Sequence, residues 1–248
     1  MDLDLAFAAT VALAFTAAGI TKGVVGLGLP LAAIAVLTIP MGLREAVPLI
    51  IVPVLVTNAW QMTRGGMLVP LLRRFWTMIL PLGIGAWLGT VLLFVIDETL
   101  VGALLGAVII VYSLVNIFAV RFRVPAAHEA WYSPGVGLLS GLLTGLTGSV
   151  GGPVAIYFQA LGLDRETFLQ AASLAFFLTA LPWGGTLIAE GALTVETAAI
   201  GAAALLPSFA GMWIGQGIGA RLSQEVFSKG VFGFLILIGA NLIRRAIV

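Results

Sequence analysis

Cysteine is absent from the chain, histidine occurs once, and charged residues make up only 9% of its 248 positions. The missing cysteines exclude disulfides and thiolate sites, and one histidine cannot build a usual zinc centre. Soluble domains carry about a quarter charged residues; here no long polar stretch exists, so no soluble domain is expected. Lys+Arg 12 against Asp+Glu 11 leaves no basic surface for nucleic acid. The start, MDLDLAF, is acidic and lacks the basic segment of a cleaved signal peptide. What remains is apolar: 60% hydrophobic residues and a mean hydropathy of +1.14.

Uncharged runs of about 18 or more residues read as membrane-crossing helices. Such runs cover 46–63, 75–96, 99–120, 167–189 and 197–220, and 226–243 carries only Lys229. Two further regions, 5–43 and 133–163, are apolar but interrupted by Gly and Pro. The chain also repeats itself. GITKGVVGLGLP from Gly19 resembles GLLTGLTGSVGGP from Gly141, and PLGIGAWLG from Pro81 matches PSFAGMWIG from Pro207 as P-x-x-x-G-x-W-x-G. Both matches occur in the same order about 120 residues apart, so one unit occurs twice. Repeat 1 is placed at 1–123 and repeat 2 at 124–248.

A broken region that enters and returns makes an even number of crossings, and three spans follow it. The total is odd, so the second copy enters from the other side. The expected fold is an all-α membrane protein of two inverted repeats, each a broken or re-entrant helix pair followed by three transmembrane helices. Loop charges orient it. With 64–74 in the cytoplasm, Arg64, Arg73, Arg74, Arg121, Arg123, Arg165, Arg221 and Lys229 lie inside. Arg44, Arg244 and Arg245 fall on the wrong side.

The glycine breaks are the candidate site. A helix restarting at Pro30 or Pro153 leaves N–H groups unpaired at its positive end, which suits an anion. In lipid such breaks survive only inside protein or along a wet cavity. Lys22, an ionisable residue at depth, is positioned to supply countercharge; the competing reading is a snorkelling anchor. Its repeat counterpart is Thr144, with Thr147 and Ser149 adding hydroxyls. Gly26, Gly28, Gly151 and Gly152 offer backbone to a substrate, or pack closely. Asn58 and Gln61, three apart on one helix face, line a cavity or act as interhelical glue. Thr179 completes the set. The G-x-x-x-G series Gly137, Gly141, Gly145 and Gly211, Gly215, Gly219 is read as packing. Trp60, Trp87, Trp183 and Trp213 are read as packing or interfacial residues.

The paired segments GVVGLGLPL and GSVGGPVAIYF, the GLREA and GLDRET loops and the repeated Trp motif resemble the TauE/SafE sulfite exporter family over nearly the whole chain. The resemblance implies a bacterial inner-membrane, multi-pass transporter for small sulfur-containing anions such as sulfite and short organosulfonates. It supplies no residue-level site. No cofactor is expected; the partners are a small anion and the lipid bilayer, with a homodimer left open. No charge-free span contains a carboxylate or histidine for proton relay, and Glu45 alone lies near a span end. An anion channel would use the same groups without alternation. An intramembrane hydrolase using Ser149 would need a base, and His128 lies outside the spans.

Overall fold

The computed structural model describes residues 5–118, 123–148, 152–219 and 224–247. Every regular element among them is helical, and six helices are long and apolar enough to cross a membrane. The order before residue 118 is α1 (Leu5–Val25), a glycine break, α2 (Leu29–Met41), α3 (Leu43–Leu49) with α4 (Ile51–Met62), α5 (Leu68–Val95) and α6 (Glu98–Ile117). A short 3-10 turn, Ala126–His128, leads into the rest. There the order is α7 (Glu129–Thr147), a break, α8 (Gly152–Ala160), α9 (Arg165–Ala189), α10 (Val195–Ala203) with α11 (Leu205–Gly219), and α12 (Gln224–Ile247).

The run expected as one span over 46–63 lies in one membrane-length stretch, Leu43–Met62, interrupted at Ile50 between α3 and α4. Pro53 has no N–H to give Leu49, four residues earlier, and α3 ends at Leu49. Pro207 stands in the same relation to Ala203, where α10 ends. The bends are packed together: a Cβ on Gly201 of α10 would lie 2.8 Å from the carbonyl oxygen of Leu49. The 64–74 loop is shorter than charge alone suggests. α5 begins at Leu68, so Arg73 and Arg74 are helical, and Arg74 pairs with Glu129 at 2.8 Å. Such a partly exposed pair contributes under about 1 kcal/mol.

The tryptophan motif is a packing device. Cβ atoms on Gly85 and Gly89 of α5 would strike the carbonyl oxygens of Leu138 and Leu142 in α7. Those on Gly137, Gly141 and Gly145 of α7 would strike the carbonyls of Met78, Leu82 and Ala86. The matching pair, Gly211 and Gly215 of α11, meets Thr16 and Ile20 of α1 in the same way, and Gly219 lies near Val24. Backbones this close gain dispersion that no larger residue would permit. Trp87 and Trp213 point away, largely exposed on the outer surface, whereas Trp183 is fully buried.

The misplaced arginines have local partners. Arg44 donates through Nε to the carbonyl of Leu93 at 3.1 Å and through Nη2 to that of Ile96 at 2.7 Å, capping the end of α5. Cations favour the negative end of a helix. Glu98 Oε1 in turn accepts from the N–H groups of Leu43 and Arg44 at the start of α3. Arg245 donates to the carbonyl of Ile39.

Asp164 caps α9, accepting from the N–H groups of Glu166 and Thr167 and from the Thr167 hydroxyl. The Thr167 hydroxyl first, then the backbone N–H groups, hold its carboxyl below the usual range. A depressed pKa in the folded state stabilises above the unfolded value of about 3.9 and loses that contribution as pH falls through the folded value. Asp164→Ala is expected to lower the melting temperature in neutral detergent and Asp164→Asn to retain most of it, with the gap closing in acid. Equal melting temperatures at neutral pH would remove the cap from the account.

Candidate functional site

Both glycine breaks lie where the sequence puts them. α1 stops at Val25, and Gly26 and Gly28 take left-handed backbone at φ 88° and 95° before α2 begins. A side chain would be strained at either position. Gly28 precedes α2 without any side-chain cap, and Pro30 occupies its first turn. In the second half, α7 ends at Gly148, φ 66°, whose N–H bonds the carbonyl of Thr144 at 2.7 Å.

Lys22 is 3% exposed, in the last turn of α1. Its Nζ donates to Asn58 Oδ1 at 2.8 Å and to Thr57 Oγ1 at 3.2 Å. Thr57 and Asn58 are themselves tied to α4, by bonds to the carbonyls of Pro53 and Val54. No carboxylate pairs with Lys22 among the described residues. The snorkelling alternative therefore fails for this conformation: the side chain runs inward to α4, not outward to water. Gln61, one turn along α4, donates through Nε2 to the carbonyl of Gly26 at 3.3 Å. Lys22, Gly26, Asn58 and Gln61 thus form one cluster across α1, its break and α4.

The second half contributes differently. Thr144, Thr147 and Thr179 turn their hydroxyls to carbonyls four residues back in their own helices. None of these hydrogen bonds reaches Lys22. Gly152 opens α8, with Tyr112 as the nearest side chain to an added Cβ at 3.7 Å. Ser149 and Gly151 lie outside the described residues. The breaks dock on opposite halves: Gly26 abuts Leu169 of α9, and Gly148 abuts Ile34 of α2 and Val47 of α3. His128 and Glu45 are both exposed, away from this cluster.

Thr57, which holds Lys22, was not assigned to the site from the sequence, and neither were Gln170 and Trp183. Gln170, 3% exposed, accepts from Met67 N–H and donates to the carbonyl of Met62, clamping the α4–α5 turn from α9. Trp183 is buried with its indole N–H unpaired, one turn beyond Thr179.

Apolar helices of membrane-crossing length, with a buried lysine beside one glycine break, define a multi-pass helical membrane protein. The chain matches the sulfite exporter TauE/SafE family over residues 11–242 and belongs to that family, a family of membrane transporters. No curated protein and no solved structure matches it.

Proposed function

We propose that the protein exports sulfite or short organosulfonates from the cytoplasm of a bacterium across its inner membrane, by alternating access around Lys22 and the two helix breaks. The carrying observation is Lys22 itself: a buried lysine met by the neutral acceptors Asn58 and Thr57, with no carboxylate partner among the described residues. Burying a cation without countercharge is expensive. A site that keeps one gains from an anion that completes the pair. A compact oxyanion has the acceptor oxygens that ammonium, amide hydrogens and hydroxyls require.

We read the chain as two inverted copies, 1–123 and 124–248. The like order of elements supports this, and so does the exchange of partners: α7 lies along α5 and α1 lies along α11. Gly26 on Leu169 is mirrored by Gly148 on Val47. Export of a monoanion needs no coupling ion, since a negative interior drives it outward by about 2.3 kcal/mol per charge at 100 mV.

Proteoliposomes containing the protein are expected to pass sulfite at a rate that saturates, shows counterflow, follows voltage and ignores a pH gradient. Non-saturating conductance would make it a channel, and strict proton dependence would overturn the uncoupled mechanism. Absence of flux for sulfite and for C2 to C3 sulfonates would end the substrate assignment.

A further inference from the structure

Beyond Gln61, on the side away from Lys22, a cavity of about 390 Å³ opens between α4, α9 and α11. Arg64 and Glu166 contribute its charges, and Trp60, Gln61, Gln170 and Gln216 line the rest. The Arg64 guanidinium sits over the Trp60 ring, 3.7 Å from its centroid, and has no carboxylate partner among the described residues. Its donors are therefore available, while stacking limits their freedom. Gln61 provides the opposite chemistry. Its Nε2 bonds the Gly26 carbonyl, so the reverse amide orientation would set two acceptors against each other. Its Oε1 is left buried without a hydrogen-bond partner. An orphaned acceptor is costly and calls for a donor. Presenting Oε1 to a ligand in the cavity requires the amide to give up the Gly26 bond, which at 3.3 Å is a long one. Glu166 in the same wall opposes a second negative charge.

We propose that this cavity is a loading site, adjoining the Lys22 cluster at Gln61, for a singly protonated oxyanion: Arg64 takes its charged oxygens and Gln61 Oε1 accepts its one hydrogen. This rests on the anion-transport reading and adds a choice of protonation state to it. A fully deprotonated dianion leaves Oε1 unpaired and meets Glu166. The titratable groups lining the site are Arg64 after α4 and Glu166 on α9, with Lys22 of α1 the next charged group behind Gln61; Gln170 and Gln216 carry no charge.

The test is binding of sulfite and of methanesulfonate to the full-length protein in detergent, from mildly acidic to mildly alkaline buffer. Sulfite loses its hydrogen across that window. Methanesulfonate has the same three oxygens and no hydrogen to lose. Sulfite affinity is expected to fall about tenfold with rising pH while methanesulfonate affinity holds steady, one charge-assisted hydrogen bond corresponding to about that factor. Gln61→Met is expected to erase most of the sulfite dependence. A parallel fall for methanesulfonate would assign the pH effect to Lys22 or Glu166 and overturn the proposal, as would an unchanged profile in Gln61→Met. Should that variant fail to fold, Arg64→Gln, altering an exposed side chain, is expected to weaken both anions about tenfold; no change there also overturns it. If neither anion binds the parent protein, the transport reading itself has failed.

Discussion

Lys22→Met is expected to abolish saturable anion flux and to leave the protein at least as stable as the parent. The two halves of this result separate a binding lysine from a structural one. Lys22 is nearly sealed from solvent and is held by Asn58 and Thr57. Removing a buried charge that lacks a partner charge, and filling its space with an unbranched apolar chain, is commonly neutral or stabilising. The cost is the carbonyl oxygen of Asn58, whose own Nδ2 stays bonded to Val54. That loss is about 1–3 kcal/mol, offset by no longer burying an unpaired ammonium. The anion, in contrast, loses a charged hydrogen bond of about 1.5–3 kcal/mol, or roughly 10- to 100-fold in affinity. Flux assays and melting curves on one preparation decide the matter. Unchanged flux, or a large fall in melting temperature with flux lost only in proportion, would reduce Lys22 to a strut between α1 and α4.

Gly141→Ala has the largest expected effect on folding. The new Cβ would strike the carbonyl oxygen of Leu82 and lie 2.8 Å from the Ala86 nitrogen. Both obstacles are helix backbone, so no flexible side chain can yield. Overpacking of this kind costs about 1–3 kcal/mol or more, and α7 would have to move off α5. Gly135→Ala in the same helix meets nothing within 4 Å and is expected to gain about 0.5–1 kcal/mol from the better helix former. Thermal unfolding of both variants reads the contrast, and equal melting temperatures would dismiss close packing as the role of the motif. The same clash awaits Gly211→Ala against the Thr16 carbonyl.

Composition and spacing were enough for much of this. Low charge forces helices in a bilayer, because lipid offers no partner for backbone polar groups. Glycine beside proline marks the breaks, since neither residue sustains a helix, and the helices do stop at Val25 and Thr147. Asn58 and Gln61 share a face because they are three apart, and that face meets α1 through Lys22 and Gly26. Less was legible where charges sit near ends. Arg73 and Arg74 looked like loop, yet polar first turns continue as helix when they reach water.

The sequence by itself therefore determined an all-helical membrane protein, its family, its two breaks and the lysine beside one of them, because each follows from local chemistry or from a pattern along the chain. Only the tertiary structure decided that Lys22 turns inward to α4, that the Trp motifs clamp α7 and α1, and that Arg64 stacks over Trp60. Those outcomes depend on which helix lies against which, and in an apolar chain where most faces are equally greasy, partner choice comes from backbone shape at glycines rather than from any one-dimensional signal.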